Sequence, residues 1–223
     1  MNSNINQNNI PTLENWEEIY TSIKAIAIAK NWSNTAIALS LAYQLHNGQF
    51  RKSGEPYIIH PLMVCKYLIN LKIGDDITCA AALLHDVIED NAEVSKETLV
   101  TTYKLKVEVY DIVEILTKPK GYKQIENGEK KYYERIKLNK IALAIKLSDR
   151  ANNLSTVDAF TKEKMIDYVN ETKIFYYELC RYGKAYFPEY SNAIPILKYQ
   201  IQSICESIEA LINIKVLESD PLK

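Results

Sequence analysis

A chain of 223 residues is long enough to bury a sizeable core, as one large domain or two small ones. Six Gly and seven Pro are about half the usual combined share of ~12%, so the turn chemistry that many short strands need is scarce and sandwiches and barrels are disfavoured. The near balance of 27 basic and 28 acidic residues argues against a general phosphate-backbone binder.

In chain order, the first ten residues hold five Asn and little that could pack, which predicts a disordered tail over 1–12 and order from about Leu13. That start also lacks the basic and apolar regions of a signal peptide, and no run of about eighteen apolar residues occurs anywhere. A cytoplasmic protein without membrane or nucleic-acid partners is expected. Ala25, Ile26, Ile28 and Ala29 suit a first helix ending near Asn31, and Ala36, Ile37, Leu39, Leu41 and Ala42 a second. Residues 48–57, with Gly54 and Pro56, read as a loop. Pro61 fits the first turn of a third helix that continues over 62–71 and stops at Gly74.

Ile77, Ala80, Ala81 and Leu84 recur with helical spacing behind an N-cap at Asp75 or Asp76, which predicts a core helix. The charged stretch with Lys118, Lys120, Lys123, Lys130 and Lys131, interrupted by Glu126 and Glu129, reads as a mobile surface loop. Residues 141–154 begin apolar on every side and are too long for a strand, so they predict a central helix. Two more helices are expected over 162–182 and 193–217, and a flexible end over 218–223. No linker or composition shift divides the chain, so 13–217 reads as one all-α domain. Cys65, Cys79, Cys180 and Cys205 stand singly, without CxxC spacing, and are expected to be buried small hydrophobes.

Only three histidines occur. His60 precedes a helix, His85-Asp86 ends the next, and Asp149 falls inside the central helix. Two imidazoles and two carboxylates suit a divalent ion such as Mn²⁺, Fe²⁺, Co²⁺ or Zn²⁺ with positions left open for water. Glu89 and Asp90 stack one turn beyond His85 and Asp86, where they could orient or deprotonate a water; the alternative is a solvated helix end. Asp149, Asn153 and Thr156 form a polar stripe at i, i+4 and i+7, against the alternative of an Asp149-Arg150 ion pair. Arg51, Lys52 and Ser53 lie within ten residues of His60 and suit an anionic, phosphorylated ligand, unless the loop is simply solvated and paired with Glu55. His46 reads as a hydrogen-bonded support. No GxxxxGK, GxGxxG or GxSxG motif is present.

Residues 46–61 (HNGQFRKSGEPYIIHP), 80–90 (AAALLHDVIED) and 146–154 (KLSDRANNL) closely resemble three motifs of the hydrolase domain of RelA/SpoT homologues, a branch of the HD-domain metal phosphohydrolases. The similarity runs over about 25–211 and leaves no room for synthetase or regulatory domains, so a stand-alone small alarmone hydrolase is expected. The resemblance implies a helical HD fold and Mn²⁺, or another divalent metal, held by His60, His85, Asp86 and Asp149. It implies hydrolysis of the 3′-pyrophosphate of guanosine tetra- or pentaphosphate (ppGpp, pppGpp) to GDP or GTP and pyrophosphate. Glu89 and Asp90 would then handle protons or place the water, Arg51, Lys52 and Ser53 would meet the nucleotide, and Asn153 and Thr156 the ribose-phosphate side. A partner alarmone synthetase or toxin is compatible with this reading.

One departure stands out. Many members carry His where this chain has Asn152, and a larger apolar residue where it has Ala151, which puts base selectivity near that turn in question. Hydrolysis of an adenosine alarmone or a nucleoside monophosphate, and a non-catalytic alarmone-binding or antitoxin module, are the competing readings.

Overall fold

The computed structural model describes residues 15–91, 94–157 and 160–218; the side chains of Asp90 and of residues 214–218 are outside this set. The expected tail over 1–12, and 219–223 of the expected C-terminal end, lie outside the described residues. Those residues form eleven α-helices: α1 (Trp16–Ala29), α2 (Ser33–Leu45), α3 (Ile59–Asn70), α4 (Asp76–Leu84), α5 (Val87–Asp90), α6 (Val107–Leu116), α7 (Gly128–Lys137), α8 (Lys140–Leu154), α9 (Lys162–Glu171), α10 (Tyr177–Tyr186) and α11 (Ala193–Glu218). No strand occurs among them, only an isolated bridge between Phe50 and Pro56. None of these helices is long and apolar enough to cross a membrane. The all-α expectation is met.

The central helix is α8. Asn139 caps it, accepting from the Ile141 and Ala142 amides at 3.0 Å each, and every residue from Ala142 to Ala151 is buried. It packs against α3, α4, α6, α7, α10 and α11, which explains why its apolar run has no solvent face. The four cysteines are free and buried, as expected.

The N-cap of α4 falls on Asp75, whose carboxylate accepts from the Thr78 amide at 2.7 Å. Asp76 has a different partner. It reaches across to the start of α2 and accepts from the Thr35 amide at 2.7 Å and the Asn34 side chain at 2.8 Å. Burial alone would raise this carboxyl, but the Asn34 and Thr35 donors hold it below its ordinary value. A carboxylate at a helix N-terminus satisfies orphan amides and complements the dipole, so Asp76 fixes α2 to α4.

Two expectations need correction. The lysine-rich stretch is not simply a loop: turns extend to Asn127, then α7 contains Lys130 and Lys131. Tyr132, Tyr133 and Ile136 are buried on its inner face, and tyrosine's apolar body drives that packing beneath a charged exterior. The span 162–182 is likewise not one regular helix. A π turn over Thr172–Tyr176 separates α9 from α10, with the Thr172 hydroxyl donating to the Tyr168 carbonyl at 2.6 Å. Its slower rotation per residue helps carry Tyr176 to the cleft that Tyr168 and Glu171 also line.

Candidate metal centre

The first motif folds into a pinned loop between α2 and α3. The Arg51 amide donates to the Glu55 carbonyl at 2.8 Å, and the Tyr57 amide to the Gln49 carbonyl at 2.9 Å. Gly48 and Gly54 adopt φ of 77° and 88°, a region that a side chain would strain. His46 caps the end of α2, with Nδ1 2.8 Å from Gln49 Oε1 and its ring 4.8 Å from that of Tyr57. It is a support, as expected.

The loop delivers His60 to the first turn of α3. His85 and Asp86 occupy the junction of α4 and α5, and Asp149 projects from α8. The structure brings all four together. His60 Nε2 lies 3.2 Å from His85 Nε2, 3.6 Å from Asp86 Oδ2 and 3.3 Å from Asp149 Oδ1. His85 Nε2 lies 3.2 Å from Asp86 Oδ2 and 3.9 Å from Asp149 Oδ1.

The donor chemistry fits a cation. His85 Nδ1–H donates to the Ala82 carbonyl at 2.8 Å, and a carbonyl only accepts, so neutral His85 presents a lone pair at Nε2. Lone pairs and carboxylate oxygens this close repel unless a cation or a proton sits among them. Burial opposes charge on His85, yet Asp86 and Asp149 outweigh it and push the imidazole up to about 9. Burial would likewise raise Asp86, but His85 and His60 hold its carboxyl below the ordinary value. Two nitrogens and two oxygens form the open donor set of a borderline divalent ion.

Surrounding side chains orient each ligand. Tyr57 O–H donates to Asp86 Oδ2 at 2.7 Å, and His60 Nδ1 meets Asn152 Oδ1 at 2.6 Å. Asp149 Oδ2 is bound by buried Lys146 at 3.0 Å, and its Oδ1 accepts from Asn153 Nδ2. Burial would raise the Asp149 carboxyl, but Lys146 and the two histidines hold it well below the carboxylate range. The alternative of an Asp149-Arg150 pair is not realised. Arg150 instead donates to Glu171 and to the Tyr176 hydroxyl, each at 2.7 Å, between the rings of Tyr168 and Tyr176.

Three of the four candidate ligands, His60, Asp86 and Asp149, line a cleft of about 810 Å³, and His85 is buried beside them. Arg51, Lys52, Ser53, Glu89, Asn153 and Thr156 all line it. Arg51 Nη2 donates to Asn153 Oδ1 at 2.8 Å and to Thr156 Oγ1 at 3.0 Å, so three expected substrate residues are already joined. Ser53 Oγ instead donates to Glu55 at 3.4 Å. Glu89 accepts from the Lys118 amide at 2.6 Å, which brings the lysine-rich stretch to the cleft wall. The Asp90 side chain lies outside the described residues.

The sequence reading missed several residues here. Lys52 and Lys164 converge on the Phe160 ring, at 5.8 and 3.7 Å from its centroid, and contact with Lys52 lowers the Lys164 ammonium. Two crowded cations favour an anion. Lys146 was foreshadowed by its i, i+3 spacing to Asp149; Tyr57, Lys164 and Arg150 carried no separable signal. Asn152 is absent from the residues that line the cleft, and its amide faces His60. The departure at this position therefore touches the candidate metal centre through His60.

Comparison with known proteins agrees with this geometry. Residues 38–181 match the model of a family described as HD domain. A guanosine-3′,5′-bis(diphosphate) 3′-pyrophosphohydrolase of Vibrio cholerae is 40% identical over 141 residues, covering 61% of this chain and 20% of the relative. A probable enzyme of the same description from Synechocystis is 37% identical over 143 residues, covering 61% and 18%. The chain thus aligns with about a fifth of the length of these curated relatives. A solved structure described as a metazoan orthologue of SpoT that hydrolyses ppGpp superimposes with a TM-score of 0.60 at 26% identity, covering 78% of this chain and 94% of the other. On the family match, over more than half its length, this chain belongs to the HD-domain family.

Proposed function

We propose that this chain is a cytoplasmic, Mn²⁺-dependent hydrolase that removes the 3′-pyrophosphate of ppGpp and pppGpp, giving GDP or GTP and pyrophosphate. The reading rests on one cleft that is lined by His60, Asp86 and Asp149, which cluster with buried His85, and by the cations Arg51, Lys52 and Lys164. The named activities of the Vibrio relative and of the SpoT orthologue support the substrate. Residues 13–217 act as one hydrolase unit in this account.

His60, His85, Asp86 and Asp149 would hold the Mn²⁺, which would act as a Lewis acid, lowering the pKa of water and polarising a phosphoryl oxygen. The protein does the rest by placement. Arg51 presents its remaining guanidinium N–H groups to a phosphate while Asn153 and Thr156 hold Nη2 in place. Lys52 and Lys164 neutralise the second phosphate group, with Ser53 as a hydroxyl partner at the loop edge. Water adds to the phosphorus next to the ribose, the bond from phosphorus to O3′ breaks, and O3′ leaves with a proton. Glu89, fixed in the cleft wall by the Lys118 amide, and Asp90 one residue on, take and return protons.

Arg51→Ala tests the substrate side. Loss of a charge-assisted bond worth about 1.5–3 kcal/mol is expected to raise KM for ppGpp roughly 10- to 150-fold, with kcat changed far less. Steady-state kinetics with ppGpp, an adenosine alarmone and a nucleoside monophosphate, read for pyrophosphate against orthophosphate, give the comparison. Orthophosphate from a monophosphate as the dominant product, or an unchanged KM, contradicts the reading.

A further inference from the structure

We propose that Asn152 is a positioning residue of the metal centre, its amide oxygen holding His60 in the tautomer that leaves Nε2 free for a divalent ion. The bond at 2.6 Å joins α8 to the first turn of α3, across 92 positions of sequence. His85 has no choice of tautomer when neutral, because the Ala82 carbonyl takes its Nδ1 proton. His60 has a choice. With its proton on Nε2 it would donate to His85 Nε2, 3.2 Å away, and the two rings would satisfy each other and close the site. An acceptor at Nδ1 draws that proton to the outer edge of the ring.

Asn152 is suited to this task because its carbonyl supplies the acceptor without adding a third carboxylate beside Asp86 and Asp149. The neighbouring Asn153 steadies Asp149 and Arg51 instead. Two consecutive asparagines on one helical turn thus divide the work, one holding a nitrogen ligand and the other an oxygen ligand. Partners of this kind typically change metal affinity 10- to 100-fold when removed.

The inference rests on metal binding at this cluster, and the test separates the two claims. Mn²⁺ is titrated calorimetrically into the chelator-treated 223-residue chain and into Asn152→Ala and Asn152→Asp, alongside the metal-free melting temperature of each. Asn152→Ala is expected to bind Mn²⁺ about 10- to 100-fold more weakly while melting close to the unmodified chain. Asn152→Asp keeps the acceptor and is expected to restore affinity, including where the alanine variant folds poorly. An alanine variant that binds as tightly as the unmodified chain overturns the proposal, as does an aspartate variant as weak as alanine. Failure of the unmodified chain to bind Mn²⁺ overturns the metal reading itself, and this inference with it.

Discussion

Asp149→Asn is expected to lower the rate of pyrophosphate release by more than about 100-fold, the upper end of what loss of a mere outer partner costs. Asp149 Oδ1 is 3.3 Å from His60 Nε2, and its Oδ2 neutralises Lys146. The amide removes an anionic donor from the cluster and leaves Lys146, 6% exposed, without its counter-charge. Breaking a buried pair in this way destabilises by about 3–5 kcal/mol, so lost activity could be confused with lost fold. The double variant Lys146→Met, Asp149→Asn separates the two. It is expected to recover much of the stability, measured by urea unfolding, and none of the activity. Full activity in either variant would remove Asp149 from the ligand set.

The second large effect concerns stability. Arg150→Met is expected to destabilise the fold by about 3–5 kcal/mol, since Glu171 then loses the charge that compensates its burial. In a chain of this size that corresponds to a melting temperature lower by roughly 6–20 °C. The guanidinium lies 3.7 and 4.0 Å from the Tyr168 and Tyr176 ring centroids, and Tyr133 O–H donates to Glu171 Oε1 at 2.8 Å. Loss of the cation therefore unsettles a whole aromatic wall of the cleft.

A pH signature accompanies it. Burial would raise the Glu171 carboxyl, but Arg150 and Tyr133 hold it below its ordinary 4.5. A depressed folded value contributes stability that is present above the unfolded value and lost as pH falls through the folded one. As pH falls below about 4.5 the unmodified chain should accordingly lose more stability than Arg150→Met does. Parallel pH profiles would contradict this pairing.

The clustering of the four candidate ligands was legible because histidine is rare in this chain and each of them sits beside a helix boundary or on a periodic stripe. Arg51, Asn153 and Thr156 were legible for a related reason, through local spacing and the pinned loop. What holds the ligands was not. Tyr57 reaches Asp86 over 29 positions and Asn152 reaches His60 over 92, and neither pairing leaves a trace in local periodicity. Asn152 stood out in sequence only as a departure from the family motif, and its contact with His60 joins two helices that local spacing does not relate. The surface charges of α7 hid a buried tyrosine face. The π turn before α10 escaped because one extra residue per turn looks, in sequence, like ordinary helical spacing.

On the proposed reading, His60, His85, Asp86 and Asp149 hold a divalent ion required to split pyrophosphate from ppGpp. The most direct measurement follows that product by ion chromatography with protein stripped by chelator, then resupplied with Mn²⁺. No release from the stripped protein, and equimolar pyrophosphate and GDP after Mn²⁺ is restored, is the predicted result. Undiminished release without metal, or none with Mn²⁺ bound, would contradict the account.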